Sequence, residues 1–242
     1  MNLPGNIHII GCGGVTGYLL PSLTRWIGER IFYHLWDGDK VEEHNLKRQF
    51  FLPRDIEKYK APVMLQLIPR YYRKKAYKEY AKPANFDPDI GIDDLIIACV
   101  DNNQTRQFLL KFAYLKEVPI LIAANEAERF SANFFHPEYT GINPRKPAYF
   151  LNREWQDEDP KDYFSCASEP SPEWQQSAFS NQGAAFCAQA LLHYWYIRKR
   201  NPHAMIENFP VHIRSTIKGK TESITLEQYT HLLKAHEQRN TI

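Results

Sequence analysis

The chain has 242 residues, of which 24% are charged, and its formal net charge is +2. This length can bury a large core, and the near-balance of charge argues against a nucleic-acid-binding surface. No apolar run reaches the roughly 18 residues that a membrane span needs, and the N-terminal stretch MNLPGNIHII lacks the layout of a signal peptide. We therefore expect a cytoplasmic protein. The cysteines, Cys12, Cys99, Cys166 and Cys187, form no C-x-x-C pair, which predicts neither structural zinc nor a disulfide framework.

Strand-like and helix-like segments alternate along the first half of the chain. Short apolar runs separated by helical patterns are typical of parallel strands that helices cover on both faces. The sequence therefore predicts an α/β fold with a doubly wound, mostly parallel, Rossmann-like sheet. The predicted strands are 6–10, 31–36, 76–81, 95–100 and 119–124, and the predicted helices are 15–29, 61–72 and 103–116.

The pattern changes in the second half of the chain. The segment 129–137 alternates like a strand, and 138–177 is a long crossover loop rich in proline, charged and aromatic residues. A long helix is predicted over about 178–198, and the tail carries two strand-like runs, VHIRST and ESITL, before a final helix. We therefore expect a main domain over 1–200 and a small C-terminal β/α extension over 201–242.

A glycine-rich loop, GCGGVTG, follows the first predicted strand and opens the first helix. Gly11, Gly13 and Gly14 allow a tight turn, which lets backbone N–H groups approach phosphate oxygens at a helix N-terminus. Thr16 stands where the dinucleotide motif G-x-G-x-x-G has its third glycine, and this weakens an NAD interpretation, although Gly17 could relieve some crowding. A structural turn without a ligand is the alternative.

Acids, amides and cations follow the second predicted strand within about two dozen residues. Asp37 ends that strand, where an acid can accept hydrogen bonds from ribose hydroxyls, and Asp39 follows it. Cations after the ribose acid suit a triphosphate, because arginine offers a planar fork for phosphate oxygens. The alternative is a solvated charged loop. The amides and cations are Asn45, Arg48, Gln49 and Lys60.

A third polar cluster, VDNNQTR, closes the apolar run LIIACV. Asp101 lies at the carboxyl end of a buried strand, on the edge where doubly wound sheets bind ligands. A carboxylate there can hold Mg²⁺ together with phosphate oxygens, because Mg²⁺ prefers one or two carboxylates plus phosphate. Alternatively, Asp101 or Asn102 caps the helix that follows.

Together, the glycine loop, D-x-D-x-V, N-L-x-R-Q, a lysine about a dozen residues on, and D-N-x-x-x-R resemble the ThiF/MoeB/E1 superfamily. Its members adenylate the C-terminal glycine of ubiquitin-like proteins. The resemblance covers about residues 6–125 and the helix that contains Gly183. The segment FSCASEPSP and the long helix look most like compact bacterial ThiF-family proteins of plasmid and phage-type operons, which also encode ubiquitin-like and E2-like partners.

The resemblance implies an ATP and Mg²⁺ site. Asp37 would bind the ribose, Asp101 would coordinate Mg²⁺, and Arg106 would brace the site. Arg48, Lys60, Asp101 and Cys166 would be the catalytic residues. The nucleotide-binding set would comprise Gly11, Gly13, Gly14, Asp37, Asp39, Asn45, Arg48, Gln49, Lys60, Asn102 and Arg106.

Cys166 lies in the crossover loop, where relatives that pass their substrate onward carry a catalytic cysteine. Its thiolate would convert the acyl-adenylate to a thioester before transfer to an E2-like or sulfur-accepting partner; an unreactive loop cysteine is the alternative.

Two departures from the family pattern concern zinc and assembly. The zinc-binding C-x-x-C pairs of many relatives are absent, and so is the N-terminal arm that carries an arginine to the partner subunit. A homodimer is still expected by resemblance.

Two other functions remain open from the sequence. An NAD-dependent oxidoreductase would use the same glycine loop, although Thr16 and the cations argue against it. A catalytically degenerate, partner-binding E1-like subunit would have lost its ATP site, which the complete set of predicted residues argues against. Within the superfamily, adenylation of a small carboxylic acid or a tRNA base is also open.

Overall fold

A computed structural model describes residues 4–86, 89–125, 129–135, 177–200, 210–216 and 220–225, together with 228 and 231. The crossover loop up to 176, which contains Cys166, and most of the final predicted helix lie outside these residues. None of the helices within the described ranges is both long and apolar enough to cross a bilayer.

The described strands form one mixed sheet, in the order β3-β2-β1-β4-β5-β6-β7-β8. The first five strands pair in parallel, and β6, β7 and β8 continue the sheet in antiparallel pairs. The predicted α/β class with a mostly parallel, Rossmann-like sheet is therefore confirmed. The strands are β1 Asn6–Ile10, β2 Phe32–Trp36, β3 Arg73–Tyr77, β4 Leu95–Ala98, β5 Ile120–Asn125, β6 Arg129–Phe135, β7 Pro210–Thr216 and β8 Thr221–Thr225.

Helices cover both faces of this sheet because successive strand residues point to opposite sides. Ile7 and Ile9 of β1 are fully buried in a core that includes the apolar faces of the first and last helices. Ile10 belongs to a second core on the other face, which Leu109 of the third helix completes. The helices are α1 Gly14–Ile27, α2 Lys60–Met64, α3 Asn103–Leu115 and α4 Ala178–Arg200.

The predicted helix over 61–72 is wrong in its length. The α-helix ends at Met64, and a 3₁₀ turn, Leu65–Leu67, follows it. Ile68 then has φ −86° and ψ 134°, an extended conformation that the ring of the following Pro69 favours by its steric clash with a helical Ile68. The chain consequently enters β3 at Arg73, three residues before the predicted strand over 76–81.

One edge of the sheet is strongly basic. Edge strand β3 has the sequence RKKAY, so Arg73, Lys74 and Lys75 succeed one another. Arg73 and Lys75 are exposed, and the Lys75 ammonium lies 4.5 Å from the centre of the Tyr77 ring. Cations on an edge strand oppose pairing with a further strand.

At Gly11, the loop between β1 and α1 packs closely against the backbone that follows β4. The φ of Gly11 is 88°, and a β-carbon there would lie 2.6 Å from the carbonyl oxygen of Cys99. Because that neighbour is backbone and the conformation is left-handed, Gly11→Ala should lower the free energy of unfolding by about 2–5 kcal/mol. Urea denaturation measures this change. Gly91→Ala is the matched control, since a β-carbon there meets nothing within 4 Å; equal effects of the two changes would contradict the predicted constraint.

Candidate nucleotide-binding site

A cleft runs along the carboxyl edge of β2, β1, β4 and β5. Parallel strands place their carboxyl ends at one edge, so residues far apart in sequence meet there. Most of the predicted site residues line the cleft: Gly11, Gly13, Gly14, Asp37, Asp39, Gln49, Lys60, Asp101, Asn102 and Arg106. It also has lining residues that the sequence did not single out: Trp36, Tyr80, Ala81, Asn125 and Asn181.

The glycine loop presents backbone donors to the cleft. Gly13 occupies the N-cap position of α1 and supplies no side-chain hydrogen bond, so the first N–H groups of the helix lack a cap. Gly14 allows α4 to approach closely, because a β-carbon on Gly14 would lie 2.1 Å from Nδ2 of Asn181. Uncapped N–H groups at a helix N-terminus form an anion-binding site.

Thr16 fits the loop by forming a hydrogen bond. Its side chain is fully buried, and its hydroxyl donates to the carbonyl of Gly11 at 2.5 Å. Gly17, which we expected to relieve crowding around Thr16, has another role: a β-carbon there would lie 2.9 Å from the Phe50 ring. The hydroxyl of Thr16 therefore stabilises the glycine loop.

Asp37 is a buried acid that ties β1 to β2. One carboxylate oxygen accepts the N–H of Cys12 at 2.7 Å, and the other accepts the N–H of Asp39 at 2.8 Å. Burial raises the pKa of Asp37 to about 6, although Lys60 and the two N–H donors oppose the rise. The carboxylate stays ionised near neutral pH and lines the cleft, where it can accept hydrogen bonds from ligand hydroxyls.

Lys60 and Asp39 form an ion pair on the same wall. Lys60 Nζ lies 2.9 Å from an Asp39 oxygen, and the lysine is almost completely buried. The Lys60 N–H also donates to the Asp39 carbonyl, so backbone pairing between the two segments brings the charges together. Partial burial acts to raise the pKa of Asp39, but Lys60 and the donating hydroxyl of Tyr80 hold it below its usual range.

Asp101 and Asn102 follow β4, and the structure identifies which of them caps the next helix. Asn102 caps α3, since its Oδ1 accepts the N–H of Thr105 at 2.8 Å, while Asp101 lines the cleft. Arg106 donates to the Val100 carbonyl at 2.7 Å and to Oδ1 of Asn103 at 3.0 Å. These bonds hold the segment that carries Asp101.

Two residues of the predicted nucleotide-binding set are absent from the lining of the cleft. Asn45 is fully buried, and its Oδ1 accepts the N–H of Glu42 at 3.0 Å. Arg48 is buried, and its carbonyl accepts a hydrogen bond from Asn181 Nδ2 at 3.0 Å. Their contacts with a nucleotide remain predictions, whereas Gln49, next in sequence, does line the cleft.

The residues that the sequence missed carry different signals. Asn125 ends β5, and the same strand-end rule that selected Asp37 and Asp101 could have found it. Neither Asn181 nor Tyr80 follows the end of a predicted strand. Asn181 lies in the first turn of α4, and Tyr80 lies in the loop after β3. Only the tertiary fold brings them to the cleft.

The described cysteines are poor nucleophiles near neutral pH. Burial raises the pKa of Cys12 well above its usual range, and it raises the pKa values of Cys99 and Cys187 to about 11. Cys99 is only partly buried, and it lines the cleft. Cys166 lies outside the described residues.

Metal ligation in the described ranges is limited. Those residues contain no cluster of three or more histidine, cysteine, aspartate or glutamate side chains that could hold a metal ion. A single carboxylate, such as that of Asp101, still suits Mg²⁺ when phosphate oxygens supply other ligands.

The raised pKa of Asp37 predicts a pH-dependent stability. Between about pH 4 and 6 the carboxyl is protonated in the folded state but ionised in the unfolded state, so folding becomes less favourable as the pH rises. Asp37→Asn lacks this dependence. The free energy of unfolding of the variant, minus that of the wild type, should therefore rise by about 2 kcal/mol between pH 4 and 7. Urea denaturation across this range measures the difference.

The exposed Asp93→Asn is the control for the loss of one surface carboxylate. A flat difference for Asp37→Asn would contradict the burial argument.

Comparison with known proteins identifies the family of this chain. The model of the ThiF family matches residues 5–170. PaaA has a similar crystal structure, with a TM-score of 0.60 and 16% identity over 92% of this chain and 73% of PaaA. Escherichia coli MccB crystallised with ATP has a TM-score of 0.61 and 17% identity, and with MccA 0.64 and 19%.

This chain spans 63% of the length of MccB in both of these structures, and 92% of this chain is covered. At these identities the likeness shows a shared fold. The family model covers well over half of the sequence. The chain belongs to the ThiF family, within the ThiF/MoeB/E1-like superfamily.

Proposed function

We propose that this protein is an ATP-dependent adenylating enzyme that acts on a protein or peptide C-terminus. The observation that carries the proposal is one cleft lined by an uncapped glycine loop, the buried Asp37, the cation Lys60 and the strand-end Asp101. These groups meet the separate needs of a ribose, a polyphosphate and a metal ion. Membership of the ThiF family supports the same activity.

The order of the strands suggests how ATP lies in the cleft. Asp37 follows β2 at one end, the glycine loop follows β1 in the middle, and Asp101 follows β4 on the far side. The ribose would bind Asp37, and the phosphates would bind the loop N–H groups and Lys60. The α-phosphorus would then face the β4 and β5 side. Arg48 and Asn45 would support the phosphates from buried positions.

The reaction follows from this placement. A substrate carboxylate oxygen attacks the α-phosphorus of ATP, the bond between that phosphorus and the bridging oxygen breaks, and pyrophosphate leaves with the electron pair. Asp101 would hold Mg²⁺ together with phosphate oxygens, and the residues present fit such a site because the ion needs only one or two carboxylates. When bound, Mg²⁺ would offset charge on the leaving pyrophosphate.

For the substrate, we propose the C-terminal carboxylate of a ubiquitin-like protein. The motif resemblance supports this class, and MccB, which shares the fold, has been crystallised with ATP and also with MccA. An E2-like or sulfur-accepting partner, a homodimer and a cytoplasmic location complete the proposal. We retain 1–200 as the adenylation domain and 201–242 as the extension.

Cys166 is the proposed acceptor of the activated acyl group. Its thiolate would attack the acyl carbon, a carbon–sulfur bond would form, and AMP would leave as the carbon–oxygen bond breaks. Support comes from its position in the crossover loop and from the raised pKa values of the described cysteines.

Thermal unfolding tests nucleotide binding. Mg²⁺-ATP at about 100 times its Kd should stabilise the protein by roughly 2.7 kcal/mol, and this gain should fall with EDTA or in Asp101→Ala. The control is Asp93→Ala, an exposed acid just before the amino end of the same strand, β4. Stabilisation by NAD(H) alone would favour the oxidoreductase function, and no stabilisation by either nucleotide would favour the degenerate subunit.

An electrophilic probe tests Cys166. An adenosine vinylsulfonamide with a glycyl-glycine tail should form a covalent adduct, because a thiolate adds to the vinyl carbon. Intact-protein and peptide mass spectrometry should place the adduct on Cys166 and find none in Cys166→Ala. The control is Cys99→Ala, since Cys99 also lines the cleft but has a raised pKa. An adduct on Cys99 in the wild type would refute the assignment.

A further inference from the structure

Beside the glycine loop, the cleft contains two buried side-chain amides with unused hydrogen-bonding atoms. Asn181 is 1% exposed, and its Oδ1 has no hydrogen-bond partner in the described structure. Gln49 is 7% exposed, and neither its Oε1 nor its Nε2 has a partner there. Both residues line the cleft. Because buried polar groups in proteins are almost always hydrogen-bonded, these atoms are available to a ligand or a water molecule in the cleft.

The orientation of Asn181 is set by its surroundings. Nδ2 donates to the Arg48 carbonyl at 3.0 Å, which identifies the nitrogen and leaves Oδ1 as the unused atom. The first turn of α4 is held as well: Ser177 Oγ accepts the N–H of Ser180 at 3.0 Å, and Ser180 Oγ accepts from Asn125 Nδ2 at 3.2 Å. Asn181 therefore holds an acceptor in a fixed position beside Gly14.

An oxygen acceptor at this position selects against phosphate. Phosphate oxygens would be repelled by Asn181 Oδ1, whereas an N–H group would satisfy it. Gln49 lies beside the loop, with Oε1 3.8 Å from the position of a β-carbon on Gly13, and it offers a donor and an acceptor. A peptide unit has one N–H donor and one carbonyl acceptor. Asn181 Oδ1 can accept from that N–H, and Gln49 Nε2 can donate to that carbonyl.

We propose that Asn181 and Gln49 form a subsite for the last peptide unit of the substrate. Asn181 Oδ1 accepts the N–H of the terminal residue, and Gln49 hydrogen-bonds the adjacent peptide carbonyl. This rests on the proposed function and specifies its substrate as a chain with an amide next to the reacting residue. A small free carboxylic acid lacks that N–H and leaves the buried oxygen unpaired.

Stable mimics of the acyl-adenylate test the subsite. The probes are adenosine 5′-sulfamate, the same compound acylated with acetyl-glycyl-glycine, and an ester analogue in which oxygen replaces the terminal N–H. Isothermal titration calorimetry should show that wild-type protein binds the amide at least about tenfold more tightly than the ester. In Asn181→Ala this ratio should fall to about one. Gln182→Ala is the matched control, because Gln182 is the next residue of the helix and is exposed.

A second variant guards against misfolding of Asn181→Ala. Gln49→Leu should weaken binding of the acylated amide by a larger factor than it weakens binding of the bare sulfamate. An amide-to-ester ratio near one in the wild type would overturn the subsite even if all three compounds bind. Equal weakening of all three compounds in both variants would mean that the amides hold the nucleotide instead. Failure of all three to bind the wild type would overturn the proposed function, and this subsite with it.

Discussion

The buried carboxylate of Asp37 is the interaction on which the cleft depends. Its two oxygens accept N–H groups from the glycine loop and from the segment after β2, so it fixes both loops at once. Burial works against its negative charge. Lys60 offsets that penalty, and Asp39 holds Lys60 within reach. The carboxylate of Asp37 and the Lys60–Asp39 pair therefore determine both the positions of the two loops and the charge of this end of the cleft.

The charge of the lining residues differs between the two ends of the cleft. Its β2 end is charged, with Asp37, Asp39 and Lys60 close together, whereas its β5 end is neutral and carries the side-chain amides of Asn125 and Asn181. Ionic groups suit a nucleotide, and amides suit a peptide. The strand order sets the positions of the charged end and the amide end of the cleft. The parallel sheet would therefore orient both ATP and the substrate peptide in the proposed adenylation.

Residues that follow predicted strands could be found from the sequence. Asp37 and Asp101 were identified because the carboxyl ends of parallel strands share one edge. Asn181 could not be identified from the sequence, because its hydrogen bond to Arg48 joins residues 133 positions apart through the packing of α4. The motif N-L-x-R-Q identified Gln49 but gave no indication that Asn45 and Arg48 lie outside the lining of the cleft. Sequence motifs specify residue types near a site, but packing decides which side chains face it.

The basic edge of β3 bears on how copies of the chain could assemble. Joining two sheets through this edge would bring Arg73, Lys74 and Lys75 of one copy against the same cations of the other. Their repulsion would oppose a continuous sheet across two molecules and would weaken only as added salt screens it. A homodimer of this protein would accordingly form through a different surface, and its sheet would end at β3.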